Sequence, residues 1–168
     1  DWVEEARSMM SAQEFRVWFE AEFPEIGSEV FNLKIVKKLA VGEKWIEPVE
    51  GYHYYMGLDV ARMGIDESAA VILAVPEYLE GDAKAIADVC YWATKGRQTL
   101  TEVFRWASGI AGRWDVEAIG VDITGMGAGV GDLLAENFGN KVVQIEMLGN
   151  MRNDVYINLQ RLIEDERL

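Results

Sequence analysis

Three strand-like segments follow one another between Tyr54 and Ala93 with no room for a helix between them, and this constrains the fold more than any other feature. The first, YYMGLDV at Tyr54–Val60, is rich in β-formers. A short glycine-bearing turn, ARMGIDE at Ala61–Glu67, leads into SAAVILAV at Ser68–Val75, an unbroken apolar run of buried-strand length. The loop Pro76–Lys84 is too short for a crossover helix, and IADVCYWA at Ile86–Ala93 follows. Parallel neighbours need a crossover of about a dozen residues or more, so these three strands are expected to run antiparallel.

Beyond Ala93 the periodicity changes. Thr99 with Glu102 forms a capping box, and Leu100, Val103, Phe104, Ala107, Ile110 and Ala111 then recur at helical spacing up to a stop near Gly112. Val116–Ile123 reads as a fourth strand and Val130–Phe138 as a helix with Gly139 as its C′ residue. Lys141–Leu148 reads as a fifth strand. Arg152–Glu166 reads as a last helix with Val155, Leu159, Leu162 and Ile163 on its apolar face. The order β-β-β-α-β-α-β-α predicts an α/β fold with a mixed five-stranded sheet flanked by helices.

The first 50 residues have another character. Ser11 and Glu14 form a capping box for a helix that Pro24 closes near Glu22, and a short helix is expected at Leu33–Leu39. Gly27, Gly42, Pro48 and Gly51 punctuate the stretch between, so residues 1–50 read as a connecting helical segment and 51–168 as the main domain. The chain opens on Asp1 without a signal-peptide pattern and is expected to be a piece of a longer protein.

Composition narrows the chemistry. With one cysteine, Cys90, no internal disulfide can form, and with one histidine, His53, there is almost no material for a His/Cys zinc site. A metal would have to be a hard cation held by carboxylates. The net charge of −13 argues against a module devoted to gripping phosphate backbones, but not against an enzyme that meets nucleic acid through metal ions.

Two carboxylates stand out. Asp59 in MGLDVA and Asp122 in IGVDIT each end an apolar strand. A carboxylate there is costly unless paired, hydrogen-bonded or metal-bound. Each alone is equally well read as a strand-end residue bonded to a loop. Two at matching strand positions favour a shared Mg²⁺ or Mn²⁺, provided the first and fourth strands are neighbours. Asp66 lies in the turn after the first strand and reads most simply as a turn-former.

The run Gly125–Gly131 (GMGAGVG) follows a strand and opens a helix, but it lacks both the G-x-G-x-x-G register and a Walker Lys-Ser/Thr. It reads as a tight strand-to-helix turn, or as a loop whose backbone passes close to a phosphate. Cys90 reads as buried and structural, His53 as a surface residue, and Trp92, Trp106 and Trp114 as core or rim packing. Lys95 and Arg97 flank a turn and read as a solvated loop rather than a phosphate contact.

YYMGLDVARMGIDESAAVILA, followed about 60 residues later by IGVDITGMGAGVGDLL, resembles the nuclease domain of the large subunit of viral DNA-packaging terminases. The N-terminal FRVWFEAEF resembles the stretch that joins the packaging ATPase to that nuclease. The resemblance implies a ribonuclease H-like fold. It also implies a two-metal endonuclease using Mg²⁺ or Mn²⁺ that cuts double-stranded concatemeric viral DNA in the host cytoplasm. By position Asp59 and Asp122 would be metal ligands, and Asp66 would match the family's auxiliary hairpin acid. The family's third acidic residue, on a later helix, would lie past Leu168, so the 168 residues alone are expected to be weakly active or inactive; Asp154 fits better as a first-turn dipole partner. The implied partners are an ATPase domain in cis, the terminase small subunit and the portal. Other readings are a junction-resolving nuclease, an actin-like ATPase, or a non-catalytic docking module of a packaging motor.

Overall fold

The computed structural model describes residues 31, 33–40, 42–61, 66–78 and 86–168. Lys34–Leu168 form one compact unit. The helix read at Ser11–Glu22 lies outside the described residues, as do most of both loops of the antiparallel strands.

The described elements are α1 (Leu33–Leu39), β1 (Tyr52–Asp59), β2 (Glu67–Pro76), β3 (Asp88–Gly96) and α2 (Leu100–Trp114), followed by β4 (Ala118–Asp122), α3 (Gly127–Phe138), a 3₁₀ turn (Gly139–Lys141), β5 (Val142–Ile145) and α4 (Gly149–Glu164). The strands form one sheet in the order β3-β2-β1-β4-β5. β1 pairs antiparallel with β2 and parallel with β4, and β5 joins parallel to β4. The expected mixed five-stranded sheet is therefore present.

Alternation decides which face is buried. Tyr54, Met56 and Leu58 of β1, Ala70, Ile72 and Ala74 of β2, and Ile119 and Val121 of β4 all point to one side. There they meet Val103, Ala107, Ile110, Ala111 and Trp114 of α2 and Val130 and Leu134 of α3 in a single core. Trp114 is fully buried, with ring centroids 5.2 Å from Tyr54 and 5.4 Å from Tyr91. The Tyr54 hydroxyl reaches out of the core to accept from Val49 N–H (2.6 Å) and donate to Val49 C=O (2.8 Å). Trp106 is half-buried against the core, whereas Trp92 lies on the opposite sheet face, 47% exposed. It packs neither in the core nor tightly at its rim, because its partner Val71 points away from the helices.

Helix α2 opens with both halves of the capping box formed by Thr99 and Glu102. It runs past Gly112 to Trp114, because burying Trp114 rewards another half-turn, and it ends at Asp115 in the left-handed conformation. The β2–β3 ladder slips between Ile72 and Leu73, and the extra residue on β3 is Cys90. Its thiol is buried and donates toward Ile72 C=O at 3.5 Å. Burial pushes that thiol up to about 11. The β3 edge is partly covered: Trp45 N–H donates to Cys90 C=O (2.8 Å), and the Lys44 ammonium sits 4.4 Å from the Tyr91 ring. Helix α4 leaves the β5 side of the sheet. Its end is tied to the start of β3, where Ala87 N–H donates to Arg167 C=O (2.9 Å), and to α1 by a Lys38–Glu166 ion pair (2.6 Å). Among the described residues, no helix is long and apolar enough to cross a membrane.

Candidate active site

The parallel β1–β4 ladder pairs Met56 with Ile119, Gly57 with Gly120 and Leu58 with Val121. The next residue on each strand is the aspartate. In-register parallel neighbours lie about 5 Å apart and send their side chains to the same face. Asp59 and Asp122 therefore stand side by side at the carboxyl ends of adjacent strands, on the face away from α2 and α3. Asp59 is exposed and Asp122 half-buried. Crevices outside the carboxyl ends of parallel strands are where open α/β sheets hold their ligands.

The two carboxylates are held differently. The sequence after Asp122, ITGMG, folds back at once. Thr124 N–H donates to Asp122 Oδ1 at 2.7 Å, closing an Asx-type turn. Gly125 takes φ +72°, open only to glycine without strain. Gly127 then opens α3 so close to the strand that a Cβ there would overlap Asp122 C=O and lie 2.9 Å from its carbonyl carbon. This makes the glycine run a tight strand-to-helix turn. The helix begins at Gly127 rather than Val130 because the glycines themselves form its first turn. The loop is also tied sideways: Ile123 N–H donates to Ile145 C=O (2.9 Å), and Met147 N–H donates to Thr124 Oγ1 (3.0 Å). Those bonds, with Leu148 N–H donating to Glu146 C=O, end β5 at Ile145, three residues before the sequence pattern suggests.

Asp66 precedes β2 and is exposed. Among the described residues, no group of three or more His, Cys, Asp or Glu side chains is close enough to hold a metal ion, so Asp66 does not join the aspartate pair in one cluster. Alternation puts Glu67, not Asp66, on the face of Asp59: Asp59 pairs with Ala69, and Glu67 lies two residues before it. Its side chain leans over Gly96 of β3, where an added Cβ would lie 3.3 Å from Glu67 Cγ. Period-two counting from Ala69 is the signal that would have found Glu67. The D-x-T spacing is the signal that would have found Thr124. His53 is exposed on the same face, 3.5 Å from Glu117.

The donor set suits a hard divalent cation in part. Two carboxylates with water and a substrate phosphate make up a common magnesium shell, whereas the nitrogen and sulfur ligands of a zinc site lie elsewhere, His53 near the start of β1 and Cys90 on β3.

No protein-family model matches the sequence, and no curated protein matches it. Solved structures do match. The large terminase nuclease from thermophilic phage G20c superposes with a TM-score of 0.54 at 14% identity, over 72% of this chain and 59% of that one. The same nuclease with bound zinc gives 0.54 and 14%, over 72% of this chain and 64% of that one. The fold is that of a terminase nuclease, ribonuclease H-like, as the two sequence motifs lead one to expect. This chain spans less than two thirds of the length of those solved chains.

Proposed function

We propose that this chain is a metal-dependent DNA endonuclease of the terminase-nuclease kind, with Asp59 and Asp122 as its metal-binding and catalytic carboxylates. The observation that carries the reading is the β1–β4 register, which sets Asp59 and Asp122 side by side at adjacent strand ends, the first exposed and the second half-buried. Asp59 and Asp122 would hold Mg²⁺ or Mn²⁺; Asp66, just before β2 and outside the pair, is proposed only as an auxiliary acid beside the site and not as a shared ligand. When bound, such ions activate water and stabilise the leaving oxygen of an in-line displacement. The chain's own residues fix where that happens. Asp122 is anchored through Thr124 N–H, and Asp59 is set opposite it by the ladder. Double-stranded concatemeric DNA is the proposed substrate, and a packaging ATPase domain, the terminase small subunit and the portal are the proposed partners.

A second reading is a docking module that keeps the fold without the chemistry. The lack of a three-ligand cluster among the described residues favours it, as does the charge of −13. Nicking of supercoiled plasmid with Mn²⁺ at low salt separates the two. The nuclease reading expects cleavage that Asp59→Asn and Asp122→Asn each abolish. Absence of cleavage together with absence of Mn²⁺ binding by calorimetry supports the docking module instead.

A further inference from the structure

We infer that Thr124 is a positioning residue for the Asp122 carboxylate, an inference that rests on the metal-dependent reading of the site. Thr124 holds two bonds of opposite sense. Its backbone N–H fixes Asp122 Oδ1 at 2.7 Å, and its hydroxyl oxygen accepts the N–H of Met147, just beyond β5, at 3.0 Å. The first bond sets the carboxylate rotamer. The second sets the place of the N–H that makes the first. Asp122 is thereby referred to the backbone of β5 as well as to its own strand, and Ile123 N–H on Ile145 C=O closes the same link one residue earlier. Among the described residues no comparable bond holds Asp59, so Asp122 is the pre-set half of the pair and Asp59 the adaptable half.

The loop has little slack. Gly127 abuts Asp122 C=O on one side, and Gly125 is left-handed between them. A turn closed at both ends transmits a lost tie directly to the carboxylate it carries, which is how residues outside the ligand set tune metal sites.

Thr124→Val removes the hydroxyl and keeps both the shape and the backbone N–H. Thr124→Ser keeps the hydroxyl. Thr124→Ala is the second hydroxyl-free variant, should Val prevent folding. The expected result is that Val and Ala weaken Mn²⁺ binding about tenfold and lower kcat for plasmid cleavage by a similar factor. At saturating Mn²⁺ KM should be unchanged, and Ser should stay within about twofold of wild type, in line with the one hydrogen bond it keeps. Hydrogen exchange at the Met147 amide gives a readout independent of metal. It should quicken about tenfold in Val and Ala and not in Ser, one lost hydrogen bond being worth about that factor. If wild type neither binds Mn²⁺ nor cuts, the site reading fails and the positioning role falls with it. If wild type binds and cuts but Val and Ala match it in affinity and kcat, the site reading stands and the positioning role is overturned. A loss in Ser equal to that in Val also overturns it, because bulk rather than the hydroxyl would then be responsible.

Discussion

Replacing Gly127 by alanine tests the backbone geometry on which the site is built. An added Cβ would overlap Asp122 C=O and sit 2.9 Å from the carbonyl carbon, and neither is the end of a flexible side chain that can swing aside. Relief needs the first turn of α3, or the end of β4, to move by about an ångström. Forced movement of that kind in a packed region costs about 1–3 kcal/mol. Against it stands the preference of a helix for alanine over glycine, at most about 1 kcal/mol and less in a first turn. The net expectation is a loss of about 1–2 kcal/mol. For a chain of 168 residues each kcal/mol moves Tm by about 2–4 °C, so a fall of about 2–8 °C is expected. Urea titration with an unchanged m-value would show that the folded state is what changed. Gly129→Ala is the control: its nearest neighbour would be Leu100 Cδ1 at 3.4 Å, an ordinary contact, so it should be neutral or slightly stabilising. Gly127→Ala melting at or above wild type would refute the close approach, and with it the account of how the glycine run anchors Asp122.

Further outcomes follow from the same structure. Gly112→Ala, inside α2 with open space around the new Cβ, should raise stability by about 0.5–1 kcal/mol in urea titrations. Asp59→Asn should keep the fold and stabilise it by about 0.2–1 kcal/mol without metal, by removing one of two in-register like charges. Asp122→Ala gains the same relief but loses about 1 kcal/mol with the Thr124 bond, so it should be less stable than Asp59→Asn by about that amount, and equal melting of the two variants would contradict the asymmetry. Cys90 gives an alkaline prediction: burial raises its thiol from 9.0 to about 11, so its contribution is intact below pH 9 and is lost as pH rises through 11. Between those values wild-type stability should fall more steeply than that of Cys90→Ala by up to about 1.4 kcal/mol per pH unit. Parallel curves would show that the thiol is not buried as described.

How much was legible in the sequence varied with the kind of signal. The antiparallel run and the core faces were readable because period-two alternation is local: Tyr54, Met56 and Leu58 announce the buried side of β1 without reference to anything else. Both aspartates were readable for the same reason, as charges that end apolar strands. Their adjacency was not local, because it depends on β4 inserting beside β1 rather than beyond β3. Errors fell where tertiary contacts override local pattern. Gly112 does not stop α2 because Trp114 is buried two residues later, and β5 ends early because Thr124 takes the N–H of Met147. Spacing suggests core or rim packing for Trp92, but spacing alone does not say which face of an edge strand a residue occupies. Thr124 was overlooked because a hydroxyl in a glycine-rich turn looks like any turn residue until the partner strand is in place.

The charge of the chain bears directly on how the proposed site would meet DNA. A net −13, with an unneutralised carboxylate pair at the sheet end, opposes the approach of a phosphate backbone. Cations held by Asp59 and Asp122 remove the repulsion at the one place where contact is needed and add attraction there. Metal and DNA should therefore bind with positive coupling rather than independently. Linkage makes this reciprocal: whatever factor Mn²⁺ adds to DNA affinity, DNA must add to Mn²⁺ affinity. Fluorescence anisotropy with a short duplex, at ionic strength matched between MnCl₂ and NaCl with chelator, should show tighter binding in Mn²⁺ by about 5–150-fold, the usual range of such couplings. Asp59→Asn should abolish most of the difference while leaving binding in chelator no weaker than wild type, since that variant is also less negative. Equal DNA affinity with and without Mn²⁺ would mean that the carboxylate pair and the DNA do not share a site, and the endonuclease reading would lose its physical basis.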